Sequence, residues 1–282
     1  MTRVGVIGGG LMGSGIAEVC ARAGHDVVVH EISLETAEAA LGRIHKSLDR
    51  GVERGKITAE EAEAAKQRIT VATDISAQAD RQIVIEAATE NEEVKKALFA
   101  DLDRVVADPD AILASNTSSI PITRLAAVTG RPSRVIGLHF FNPVPVMALV
   151  ELITTVSTDP AVADQAQAFA EGLGKTVIRA KDRAGFIVNM LLIPYMLAGI
   201  RMLEAGFATR EDIDAGMRLG ANHPMGPLEL TDFVGLDTTK YVADVLYEEY
   251  KEPLYAAPPL LSRMVEAGWL GRKTGRGFYE YE

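Results

Sequence analysis

His139 closes the apolar run VIGLHFFNP, and twelve positions later Glu151 sits inside a second apolar run, ALVELI. An imidazole at the end of one strand, facing a carboxylate on the next, is held in one tautomer with its protonated form stabilised. General acid–base chemistry near neutral pH requires both. The pair points to an enzyme. A single histidine at a strand end is also at home packed or solvated, so the reading depends on its surroundings.

The strongest of these is the N-terminus, RVGVIGGGLMGSGIAEVCARAGHDVVVHE. An apolar strand from Val4 to Ile7 feeds a glycine turn, an Ala-rich helix and a second apolar strand from Val27 to His30. Gly8, Gly10 and Gly13 fill the three fixed places of G-x-G-x-x-G, which give a tight turn, backbone approach to a pyrophosphate and close helix packing. The first helical residues, Leu11 and Met12, then present free N–H groups to the phosphates. Glu31 ends the second strand, where an acidic residue binds the adenosine ribose hydroxyls and repels a 2′-phosphate. Ile32 and Ser33 offer no arginine to receive one, so NAD is expected rather than NADP. In the alternative reading Glu31 only ends a strand in solvent.

Other polar residues follow strand candidates. ASNTSSI places Asn116, Thr117, Ser118 and Ser119 after a buried strand, and LHFFNP places Asn142 just beyond His139. Ligands bind at the carboxyl ends of parallel strands, although Ser and Asn are also ordinary turn residues. Asn189 interrupts an apolar helix, and a buried amide needs a partner, either a backbone carbonyl or a substrate oxygen. His25, His30, His45 and His223 carry no such argument. No His/Cys/Asp cluster has metal-ligand spacing, so no metal is expected.

These residues need a sheet to position them. Apolar strand candidates near 69–72, 83–86, 112–115, 134–138, 148–153 and 176–179 alternate with helical stretches, which predicts a mostly parallel sheet covered on both faces. Beyond Arg183 helical periodicity takes over, with no convincing strand before the short GFYEY tail. The expected architecture is α/β. A Rossmann-type domain spans 1–184, with a helical insertion at about 33–68, and an all-helical domain spans 185–282. At 282 residues and 48% hydrophobic, the chain can bury cores for both.

A net charge of −10 argues against nonspecific nucleic-acid binding. The apolar stretch Phe186 to Leu203 nearly reaches membrane-spanning length, but Asn189, Pro194 and Arg201 make a buried helix or subunit interface the better reading. An apolar strand starts almost at once, so no signal-like leader is expected. Cys20, the single cysteine, excludes an intrachain disulfide and reads as a core residue; the reducing cytoplasm is the expected location. In the helical insertion Lys46, Arg50 and Arg54 fall at i, i+4 and i+8, with Arg43 on the adjoining edge. A basic stripe in so acidic a chain suits an anionic ligand with a nucleotide handle, unless Asp49 and Glu53 neutralise it.

Taken in order, IGGGLMGSGIA, ASNTSSI, GLHFFNPVPVMALVE, GFIVN, NHPMGPLELTDFVGLDT and GRKTGRGFYEYE resemble the short-chain L-3-hydroxyacyl-CoA dehydrogenases, most of all the bacterial 3-hydroxybutyryl-CoA enzymes. The match spans essentially the whole chain. It implies NAD-dependent, reversible oxidation of (S)-3-hydroxyacyl-CoA to 3-oxoacyl-CoA, in fatty acid and butanoate metabolism. By the same resemblance His139 is the acid/base, Glu151 orients it, Ser118 contacts substrate and Asn189 helps hold the reacting oxygen. Glu90, Lys95, Asn116, Asn142 and Lys273 match positions that line the cofactor. Ser47 and Arg54 match coenzyme A contacts, and Arg50 joins them through the stripe. Many relatives carry Lys where Arg54 stands, which keeps the charge but changes the hydrogen-bonding geometry. A homodimer through the C-terminal domain is also implied.

Two alternatives stand beside this reading. A related dehydrogenase of a sugar acid such as gulonate would keep the catalytic residues without needing the basic stripe. A non-catalytic, crystallin-like dinucleotide binder would keep the glycine turn and could dispense with His139 or Glu151, both of which are present.

Overall fold

The computed structural model describes residues 1–281; Glu282, the last residue of the expected C-terminal domain, lies outside them. The chain divides into two compact units, Met1–Asp182 and Arg183–Glu282.

The first unit is built on eight strands: β1 (Arg3–Ile7), β2 (Asp26–His30), β3 (Ile69–Ala72), β4 (Ile83–Glu86), β5 (Ile112–Ser115), β6 (Val135–Phe140), β7 (Leu149–Thr154) and β8 (Thr176–Lys181). They form one sheet in the order β3-β2-β1-β4-β5-β6-β7-β8. Every neighbouring pair is parallel except β6 and β7. Strands covered on both faces read as unbroken apolar runs, and β4 (IVIE) and β5 (ILAS) are buried at all four positions. The strand order reverses between β1 and β4, so a crevice opens there at the carboxyl ends of the strands.

The covering helices are α1 (Leu11–Arg22), α2 (Leu34–Glu53), α3 (Ala59–Lys66), α4 (Glu92–Val105), α5 (Ile122–Ala126) and α6 (Pro160–Gly172). Helices α2 and α3 form the insertion. Each starts in a reciprocal cap, Ser33 with Thr36 and Thr58 with Glu61. Ala37, Ala40, Ile44 and Leu48 give α2 one buried stripe, leaving its basic residues for the other side. Cys20 is buried in α1, and burial pushes its thiol up to about 12, as befits a core residue.

The second unit contains α7 (Val188–Glu204), α8 (Arg210–Ala215), α9 (Pro227–Val234), α10 (Leu236–Tyr250) and α11 (Pro259–Glu266). Their core includes Leu197, Ile200, Leu228, Leu236, Leu246 and Leu261. The strand expected in the GFYEY tail does not form, and only isolated bridges occur there. The reason is Asp232, a buried carboxylate that accepts the N–H groups of Phe278 (2.8 Å) and Tyr279 (2.9 Å) and the Tyr281 hydroxyl (2.8 Å). With its donors taken by a side chain, the tail needs no sheet. Asp214 acts similarly on α9, whose cap Gly226 has no side chain, by accepting from Leu228 and Glu229 N–H at 2.9 Å each. Among the described residues, no helix is long and apolar enough to cross a membrane, and no group of three or more His, Cys, Asp or Glu could hold a metal.

Candidate active site

The antiparallel pairing of β6 and β7 sets His139 directly opposite Glu151. Residues in register across two strands share a face, so the twelve-residue spacing becomes a contact of 2.7 Å between Nδ1 and Glu151 Oε2. Glu151 is fully buried and His139 is 7% exposed. A carboxylate can only accept, so the contact sets Nδ1 as the protonated nitrogen. The Phe141 ring lies against the imidazole, with centroids 4.5 Å apart.

At the end of neighbouring β5, the segment 116–120 is folded around Glu90. Its Oε1 accepts the Thr117 hydroxyl, Ser118 N–H (3.1 Å) and the Ser119 hydroxyl (3.2 Å). Thr117 and Ser119 are buried, whereas Ser118 is half-buried and its hydroxyl bonds to nothing among the described residues. Of the three hydroxyls only that of Ser118 remains for a ligand, a distinction that the residue pattern did not make but the family resemblance did. Asn116 Oδ1 accepts Phe140 N–H at 2.9 Å, tying this segment to the residue after His139.

Beneath the segment lies an ion pair whose carboxylate was not foreseen. The Lys95 ammonium, from α4, is 2.6 Å from Glu86 and 3.3 Å from Glu90. Glu86 also accepts from Ser115 Oγ (2.6 Å) and Ala88 N–H (2.7 Å), and both Lys95 and Glu86 are at most 1% exposed. Lys95, expected beside a cofactor, therefore spends its charge holding Glu86 and Glu90. Glu86 escaped notice because in sequence it only closes an apolar strand.

The glycine turn leads from β1 into α1. Gly8 has φ +89°, and a Cβ on Gly13 would stand 1.8 Å from Gly8 O, so both positions require glycine. Gly10 caps α1 without a side chain, and a Cβ there would meet nothing within 4 Å. The space beside Gly10 is open, and the first-turn N–H groups of α1, those of Leu11 and Met12 included, have no partner within the helix, a cradle that fits a pyrophosphate. Glu31 lies at its rim, where its Oε1 accepts Gly9 N–H at 2.6 Å.

The remaining candidates spread out. Asn142 is exposed, one residue beyond Phe141. Lys46, Arg50 and Arg54 are exposed, and none makes an ion pair among the described residues; Asp49 is taken by Lys66 instead, at 2.8 Å. The neutralised-stripe alternative is thereby weakened. Arg43 does not extend the stripe but reaches Gly9 O. Ser47 lies close to Glu18 of α1, whose carboxyl burial pushes up from the usual range. In the second unit, Asn189 lies in the first turn of α7 and is partly exposed rather than buried as expected. Lys273 pairs with Asp237 at 2.6 Å.

Comparison with known proteins agrees along the whole chain. Residues 3–183 match the family model for the NAD-binding domain of 3-hydroxyacyl-CoA dehydrogenases, and 185–281 match that family's C-terminal domain. The chain is 59% identical over 280 residues to a 3-hydroxybutyryl-CoA dehydrogenase of Mycobacterium tuberculosis, covering 99% of this chain and 98% of that one. It is 44% identical to the human mitochondrial hydroxyacyl-coenzyme A dehydrogenase, covering 99% and 91%. The crystal structure of a (S)-3-hydroxybutyryl-CoA dehydrogenase from Ralstonia eutropha superposes with a TM-score of 0.96 at 46% identity, covering 100% of both chains.

Proposed function

The chain belongs to the 3-hydroxyacyl-CoA dehydrogenase family of NAD-dependent oxidoreductases, and from that premise we propose that it interconverts (S)-3-hydroxybutyryl-CoA and acetoacetyl-CoA, with His139 as acid/base and Glu151 orienting it. The observation that carries this reading is the buried 2.7 Å contact between His139 Nδ1 and Glu151. In the oxidation, Nε2 takes the 3-hydroxyl proton, and the Glu151 carboxylate stabilises the imidazolium that results. NAD⁺, held by the glycine turn and Glu31, would supply the acceptor for the hydride from C3. The Ser118 hydroxyl donates a hydrogen bond to the substrate oxygen as charge changes there, and the Asn189 amide is assigned the same task. In the reverse direction protonated His139 returns its proton to the carbonyl oxygen.

The sheet order supports a placement for the cofactor. The glycine turn at β1 and the dyad on β6 share one sheet edge, three strand steps apart, or roughly 14 Å at ~4.8 Å per step. An extended dinucleotide, with its pyrophosphate on Gly10, Leu11 and Met12, spans such a distance. Glu31 then faces the adenosine ribose, while Glu90, Lys95, Asn116 and Asn142 serve the nicotinamide half, Lys95 acting through Glu90. The same role is assigned to Lys273. A homodimer through the second unit belongs to this reading, supported by Leu191 of α7, an apolar side chain 71% exposed. So does a cytoplasmic location.

The basic stripe supports an acyl-CoA over a small hydroxy acid, because three exposed cations without ion-pair partners suit a nucleotide handle far from the reacting carbon. Steady-state assay with acetoacetyl-CoA and NADH tests the activity itself, and absence of turnover would sink the proposal. Neutralising Arg50 and Arg54 together should raise KM for acetoacetyl-CoA roughly three- to thirtyfold, the scale of two exposed charge contacts. It should also flatten the salt dependence of KM, while turnover at saturation changes much less. A truncated thioester without the nucleotide should be indifferent to the change. Equal effects on both substrates would make the stripe structural.

A further inference from the structure

Gly9 is gripped at both ends of its residue by side chains from outside the turn. Its N–H goes to Glu31 Oε1 at 2.6 Å, and its carbonyl accepts from Arg43 Nη2 (2.7 Å) and Nε (3.3 Å) and from Ser14 Oγ (2.6 Å). Carboxylate and guanidinium thus hold one and the same residue of the turn, the first through its N–H and the second through its carbonyl. Arg43 is largely exposed, makes no ion pair among the described residues and leaves Nη1 unused. In a chain of net charge −10, an arginine without a carboxylate partner beside the cofactor turn is an unspent cation.

We propose that Arg43 is a latent receptor for a 2′-phosphate, and that Glu31 is the gate that keeps a phosphorylated dinucleotide from reaching it. The inference rests on the NAD reading above. A planar guanidinium beside the ribose is the usual partner of the 2′-phosphate in dinucleotides that carry one, whereas a carboxylate there takes the ribose hydroxyls. Here both groups are present, and the carboxylate decides, since it hydrogen-bonds a diol but meets a phosphate as a like charge. Arg43 comes from α2, within the helical insertion, and reaches the turn because Ala40, one turn earlier on that helix, packs against Gly9 closely enough that a Cβ on Gly9 would stand 2.4 Å from the Ala40 methyl. Cofactor choice thus depends on a helix outside the strand–turn–helix motif.

The test compares full-length wild type with Glu31→Ser, Glu31→Ser/Arg43→Met and Glu31→Ser/Arg43→Lys, measuring Kd for NADH and NADPH by titration calorimetry without acyl substrate. Thermal melts confirm that each variant is folded. Wild type should prefer NADH. Glu31→Ser should weaken NADH binding and tighten NADPH binding by about tenfold or more, through one newly available charge-assisted contact. Adding Arg43→Met should abolish the gain, and Arg43→Lys should keep part of it. A double Ser/Met variant that binds NADPH as tightly as Glu31→Ser, or a Glu31→Ser variant that gains nothing, would overturn the role of Arg43 alone. Wild type that binds neither dinucleotide would overturn the NAD reading with it.

Discussion

Replacing His139 with Asn should lower turnover of acetoacetyl-CoA by roughly 10²–10⁴-fold, the usual loss when a positioned acid/base is removed. The dissociation constant for NADH should change little, because the glycine turn stands three strands away and Glu31 four. Glu151→Gln should also slow turnover, by less, since an amide can still hold the ring but cannot stabilise an imidazolium. The pairing of effects matters as much as their size. His139 faces Glu151 in register across β6 and β7, so a double variant should lose little more than His139→Asn alone. Near-normal turnover in the His139 variant would remove the central claim, and fully additive losses would show that Glu151 acts independently of the imidazole.

The second large effect should be on stability. Lys95→Met removes the ammonium that holds Glu86, a carboxylate with no exposed surface. Breaking a buried pair from one side leaves an uncompensated charge and costs about 3–5 kcal/mol. For a unit of this size that lowers the melting temperature by roughly 6–20 °C. Adding Glu86→Gln should recover part of the loss, since the amide oxygen still accepts from Ala88 N–H or Ser115 Oγ without carrying charge. The single variant melting within a degree or two of wild type would show that the pair contributes nothing to holding the 116–120 segment.

Local patterns carried much of the architecture. Gly8, Gly10 and Gly13 could be placed from spacing alone because a turn and a helix start are settled within a few residues. The β strands near 69–72, 83–86 and 112–115 emerge where the alternation with helices predicted them, the last two most plainly because a strand covered on both faces must be largely apolar. The insertion and the basic face of α2 could be read for the same reason, since helical periodicity records which side meets the core.

What the sequence left open are contacts between segments far apart along the chain. His139 and Glu151 could be suspected of meeting, but the eight residues between β6 and β7 permit several registers, and only the formed sheet puts the two side chains opposite each other. Glu86 looks like the last residue of a strand until α4 brings Lys95 beneath it. Arg43 reads as one more cation on a helix face until α2 packs on the glycine turn and delivers it to Gly9. Likewise the GFYEY tail alternates like a strand, and Asp232, more than forty residues earlier, claims its N–H groups first. Periodicity reports how each segment meets a core. Which polar group satisfies which partner is decided only when the segments pack, because a buried charge or donor takes whichever partner the fold brings within about 3 Å.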